Sequence, residues 1–114
     1  MSGIRQAVQE AQTYLRVGVE DGRKTVRAGY CFPKSSLVVA GHFPENPILP
    51  AVVQILMVQM VLENENRGMI RDAKFMVPLT VAMPIDIVCT LTKNRWMCTI
   101  LHGADIASRI TIAC

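Results

Sequence analysis

The sequence predicts an α+β domain in which one long buried helix is wrapped by an antiparallel β-sheet. Three observations carry that expectation. Residues 51–65 are apolar on nearly every side, with Val52, Val53, Ile55, Leu56, Met57, Val58, Met60, Val61 and Leu62, so a helix there must be surrounded by protein. The segments that follow alternate like strands. A strand pair precedes the helix, and strands grouped on either side of one helix, rather than interleaved with many, indicate α+β and not a wound parallel sheet.

Each element has its own signal. Ile4, Ala7, Val8, Ala11, Tyr14 and Leu15 recur at helical spacing, which predicts an amphipathic helix over residues 3–15. Val17-Gly18-Val19 and Thr25 to Phe32 read as strands joined at Glu20-Asp21-Gly22-Arg23, an Asp-Gly hairpin signal. Pro33-Lys34-Ser35-Ser36 breaks the second strand. The apolar helix is expected from Ala51 to about Glu65, with Gly68 able to end it. Strands are then expected at Ala73 to Val77, Ile85 to Leu91, Trp96 to Leu101 and Ile106 to Ala113, with turns at Lys93-Asn94-Arg95 and His102-Gly103-Ala104-Asp105.

At 114 residues the chain is one domain, 1–114, with a modest core. Hydrophobic residues make up 51% and the mean hydropathy is +0.30, so some apolar surface is expected to be covered by another subunit. No membrane partner is expected: the longest apolar stretch, Ile48 to Leu62, is interrupted by Pro50, Gln54 and Gln59 and is shorter than the ~20 residues a bilayer needs. The first residues lack the apolar run of a signal peptide, which points to the cytoplasm. Cys31, Cys89, Cys98 and Cys114 are scattered without a Cys-x-x-Cys pair, so no metal or other cofactor is expected and the thiols are read as reduced and half-buried. A net charge of +3 spread along the chain and 5% aromatics argue against nucleic acid. The basic surplus suits an acidic partner and equally suits an ordinary solvated surface.

The densest information lies in Gly41-His42-Phe43-Pro44-Glu45-Asn46-Pro47-Ile48-Leu49-Pro50-Ala51-Val52. A lone imidazole, the side chain best suited to move protons near neutral pH, stands in a loop stiffened by three prolines, Pro44, Pro47 and Pro50. The loop runs directly into the apolar helix.

This block resembles the active-site signature of the FabZ and FabA type 3-hydroxyacyl-[acyl-carrier-protein] dehydratases, usually written GHFPGxPIxPGVLxxE, a family built on the hot-dog fold. Gly41, His42, Phe43, Pro44, Pro47, Ile48, Pro50 and Val52 agree with the pattern, whereas Glu45 and Ala51 replace glycines. Leu56 stands where the family has its acid, and Met60 where it often has a glutamine. Ile70-Arg71-Asp72-Ala73-Lys74-Phe75-Met76-Val77-Pro78-Leu79 is similar to the family's strand after the helix, so the likeness runs from about residue 16 to the end.

What the resemblance implies is a dehydration in which His42 removes the C2 proton of an acyl thioester and the backbone N–H of Ala51 binds the thioester oxygen. Phe43, Pro50, Val52 and Gln59 are the expected substrate-binding positions. Pro50 at the helix start has no N–H to lose, and the free N–H groups behind it suit developing negative charge. Leu56 cannot transfer a proton, and loss of one positioned acid or base typically costs about 10²-fold to 10⁴-fold. Glu45 and Gln59 are weak substitutes; a single-base mechanism through His42 is the remaining route. His102 is expected at the surface, and Met57, Met60, Met76, Met83 and Met97 as core filler.

Two functions of different class follow, a dehydratase-like enzyme acting through His42 and a non-catalytic hot-dog subunit that binds an acyl thioester or a catalytic partner, with a thioesterase third. The implied partners are an acyl-carrier-protein or coenzyme A thioester and a second copy of the chain, or a hetero-oligomer with a carboxylate-bearing hot-dog chain.

Overall fold

The apolar stretch after Pro50 folds as helix α2, Ala51–Val61, and the rest of the chain is arranged around it. In this computed structural model, which describes residues 2–39, 48–81 and 83–114, helix α1 (Ser2–Ala11) leads into strands β1 (Gln12–Glu20) and β2 (Arg23–Tyr30). After α2 come β3 (Ile70–Phe75), β4 (Ile85–Thr92), β5 (Arg95–His102) and β6 (Asp105–Ala113). Among the described residues all strand pairings are antiparallel, in one six-stranded sheet of order β1-β2-β4-β5-β6-β3 with β1 and β3 at its edges. This is the α+β hot-dog architecture.

Register explains how the sheet covers the helix. Val26, Cys89, Cys98, Ile110 and Ala73 form one cross-strand row, and Ala28, Ile87, Ile100, Ser108 and Phe75 form the next row on the same face. Because side chains alternate along a strand, both rows face α2, and most of their members are buried with Met57, Val58, Val61 and Leu62. The β1–β2 hairpin closes at Asp21 (φ 52°) and Gly22 (φ 76°), the two positive-φ positions a type I′ turn requires.

Several boundaries differ from expectation. Helix α1 stops at Ala11, and residues 12–15 belong to β1. Tyr14 lies beside Gly29 on β2 and its hydroxyl donates to Asp86 Oδ1 at 2.6 Å, a tertiary anchor that outweighs the local helical spacing. Helix α2 ends at Val61 with Leu62 as its C-cap, well before Gly68, which instead donates its N–H to the Ala113 carbonyl at 2.5 Å. Strand β3 begins earlier than expected, at Ile70, and ends at Phe75. Met57 and Met60 are buried as expected, but Met76, Met83 and Met97 are exposed. His102, expected at the surface, is half-buried at the end of β5, with its Nε2 shielded from solvent. The thiols divide cleanly: Cys89 and Cys98 are buried and Cys31 and Cys114 exposed, all free.

Candidate functional site

Helix α2 begins with an uncapped first turn. Pro50 is the N-cap, extended at φ −61° and ψ 151°, and it offers no side-chain oxygen to the turn above it. Its carbonyl accepts the N–H groups of Val53 and Gln54, each at 3.1 Å. Among the described residues the N–H groups of Ala51 and Val52 have no acceptor, as the first donors of a helix lack one within it. A serine or aspartate at this cap would have offered such donors a side-chain oxygen; proline has none to offer.

Ala51, at the start of this turn, lines a pocket of about 340 Å³ together with residues 48–50, Gln54 and residues 75–78. One wall is the loop into α2 and the other is the segment from Phe75 to Pro78. The loop wall is fixed by Leu49 N–H donating to Leu79 O at 2.8 Å and by the antiparallel bridge between Ile48 and Thr80. The opposite wall is fixed by the Ala107 carbonyl, which accepts the N–H of Met76 at 2.8 Å and of Val77 at 3.1 Å. Among the described residues no side chain in this lining titrates; what they supply is apolar surface and backbone polar groups.

The expected site positions divide accordingly. Ala51 and Pro50 line the pocket. Val52, Leu56 and Gln59 share one side of α2 at i, i+4 and i+7 spacing. That side is the least covered: Val52 is 66% exposed, Leu56 and Gln59 are half-buried, and so the helix is not enclosed all round within a single chain. His42 and Phe43, with Glu45, lie outside the described residues. Leu56 is absent from the pocket lining.

Gln54 and Ser108 are the site residues that sequence reasoning did not single out. Gln54 is 4% exposed and lines the pocket; Ser108 on β6 is fully buried beneath it. Its hydroxyl donates to Gln54 Oε1 at 2.5 Å, and Gln54 Nε2 donates to the Leu49 carbonyl at 3.0 Å. A glutamine interrupting an otherwise apolar helix was the available signal.

Other features lie away from this pocket. A larger groove of about 530 Å³ runs between α1 and residues 31–37 and is lined by mixed polar side chains. The Tyr30 phenol is pushed up chiefly by burial, and the Cys89 thiol chiefly by its hydrogen bond with Cys98 across the β4–β5 pair. Among the described residues no group of three potential ligands could hold a metal, and no helix is long and apolar enough to cross a membrane.

With this geometry in place, the likenesses to other proteins are informative. Residues 19–105 match the ApeI-like family, described as ApeI dehydratase. No curated protein matches. Among solved structures, the dehydratase heterocomplex ApeI:P from Xenorhabdus doucetiae superposes with a TM-score of 0.73 at 18% identity, covering 90% of this chain and 94% of that one. An uncharacterised protein from Erwinia carotovora subsp. atroseptica gives 0.69 at 21% identity, with 90% and 93% covered. The protein yhdA of Lactococcus lactis, named as a candidate thioesterase, gives 0.74 at 15% identity, with 98% and 94% covered. At these identities the structural likenesses establish the fold.

Proposed function

We propose, from the premise that the chain belongs to the ApeI-like dehydratase family, that it acts on a 3-hydroxyacyl thioester of an acyl carrier protein or coenzyme A, in the manner of the FabZ and FabA enzymes and in the cytoplasm. His42 removes the C2 proton, and the Ala51 N–H receives the charge that builds on the thioester oxygen. The observation that supports this reading is the first turn of α2, where Pro50 gives no side-chain cap, the Ala51 and Val52 N–H groups have no acceptor among the described residues, and Ala51 lines an apolar pocket of about 340 Å³. Preorganised backbone donors at a helix start are the groups that stabilise a developing oxyanion, and they need no reorganisation during reaction. The described lining contains no acid or base, and this reading assigns proton transfer to His42, the one imidazole of the family-like block that precedes α2 in sequence.

A second reading rests on Leu56 and on the uncovered side of α2. Here the chain is a binding subunit whose partner, a hot-dog chain with a carboxylate at the corresponding helix position, completes the reactive pair. The ApeI:P neighbour is a heterocomplex, which favours this arrangement.

Hydration of crotonyl-pantetheine, the reverse reaction, separates the two. The first reading expects slow turnover by the wild type, abolished in His42→Ala and raised about 10²-fold in Leu56→Glu by restoring a positioned acid. Turnover only in Leu56→Glu, or only after adding a carboxylate-bearing hot-dog chain, supports the second. Turnover in none of these, with no binding of the thioester, removes both.

A further inference from the structure

The polar pair beneath the pocket carries an assignment that the family reaction does not supply. We propose that Gln54, locked by Ser108, is a positioning residue for the thioester-oxygen donors, an inference that rests on the reading of the Ala51 N–H given above.

Gln54 and Ser108 are both buried, at 4% and 0% exposure, on the face where α2 meets the core. Apolar side chains of similar size would need no hydrogen-bond partners there, whereas a buried amide left unpaired is destabilising. Every strong polar atom of the pair is nevertheless satisfied. The Leu49 carbonyl can only accept, so the Gln54 NH₂ must face it, and the remaining Oε1 receives the Ser108 hydroxyl. The amide therefore has one orientation.

That orientation acts on the donors through the backbone. Leu49 is tied at both ends: its N–H goes to Leu79 O at 2.8 Å and its C=O to Gln54 Nε2 at 3.0 Å. Pro50, next in the chain, has its φ fixed by the ring and its carbonyl held by the Val53 and Gln54 N–H groups, so the peptide that carries the Ala51 N–H moves with Leu49 and Pro50 as one unit and its placement follows how Leu49 is held. A helix start normally gains this rigidity from an N-cap side chain, which here would obstruct the donors. Gln54 supplies the restraint from the core side and leaves the donors open. Ser108 also joins the pocket's two walls. Its neighbour Ala107 holds the Met76 and Val77 N–H groups, so adjacent residues of β6 fix both sides of the opening.

The test uses backbone ¹⁵N–¹H spectra of the full chain with acetyl-pantetheine as probe. In the wild type the Ala51 and Val52 amide resonances are expected to move on titration. In Gln54→Leu, with the sheet resonances unchanged, those two amides are expected to be displaced already in the free protein, and probe binding to weaken about tenfold, the size of one misdirected hydrogen bond. Ser108→Ala, which removes the hydrogen bond to Gln54 Oε1 and leaves only the Leu49 carbonyl to hold the amide, is expected to show the same displacement to a smaller degree, and it decides the matter if Gln54→Leu fails to fold. Wild-type-like Ala51 and Val52 responses in these variants, with only a lower melting temperature, would overturn the assignment and leave the pair as core structure. Absence of any wild-type response at Ala51 and Val52 would instead overturn the thioester-oxygen site itself, and the assignment with it.

Discussion

Gly29 shows how a single position can decide a boundary. It lies in β2 against Tyr14 and Thr13, and a β-carbon there would fall inside contact distance of the Tyr14 ring. The ring covers the glycine, its hydroxyl reaches Asp86, and the Arg16 guanidinium lies 4.7 Å from its centroid. Gly29→Ala is therefore expected to expel the ring and destabilise the fold by about 1–3 kcal/mol, the usual cost of overpacking; a chemical melt of the two proteins checks it. The spacing of Ile4, Ala7, Val8 and Ala11 correctly marks a helix, but Tyr14 and Leu15 continue that spacing by coincidence. Their partners on β2 and β4 are remote in sequence, and no local window contains them. The same limit applies at the site. Ala51 was legible because its neighbours Pro50 and the apolar helix are local, whereas Gln54 acquires its meaning only from Ser108 on the last strand.

At the scale of the element, the β1–β2 hairpin illustrates a contact visible in the sequence as two charges but measurable only through geometry. Arg27 grips Glu20 with two hydrogen bonds, Nε at 2.6 Å and Nη2 at 2.7 Å, and these lower the carboxyl below its ordinary 4.5. A depressed carboxyl contributes stability that is complete above its unfolded value and is lost as pH falls through the folded one. Glu20→Gln is accordingly expected to lower the urea midpoint slightly at neutral pH, with the difference closing as the pH is taken below 4.5. The pair is solvent-exposed, so added salt shrinks the effect as well. A salt-insensitive difference that persists in acid would assign it to the turn at Asp21 and Gly22 instead. The hairpin, α2 and the three terminal strands were all readable from alternation and turn residues. The end of α2 was not, because Leu62, its C-cap, is as apolar as the helix before it and no glycine or proline stands at the stop.

Across the whole molecule, exposed apolar side chains gather in more than one place, among them the β1 residues Leu15, Val17 and Val19 and a group beside the pocket. In that group Phe75, Met76 and Val77, at about 40% exposure, bring apolar surface to the pocket and to the end of edge strand β3, and Val52 on α2 is 66% exposed. An unpaired edge bordered by apolar side chains is the arrangement proteins normally cover. The composition, 51% hydrophobic in 114 residues, already implied such a surface without saying where it lies. A second hot-dog chain laid along β3 would pair that edge and enclose the side of α2 carrying Val52, Leu56 and Gln59, turning an open pocket into a sheltered one. Sedimentation velocity is expected to give a dimer or larger species for the wild type, and Phe75→Lys, which places a charge at the edge, is expected to shift it toward the monomer. If the wild type sediments as a monomer at every soluble concentration, yet forms a complex when mixed with a carboxylate-bearing hot-dog chain, the surface is reserved for a different partner. Leu56 then ceases to be a missing acid and becomes part of the contact through which that acid is supplied.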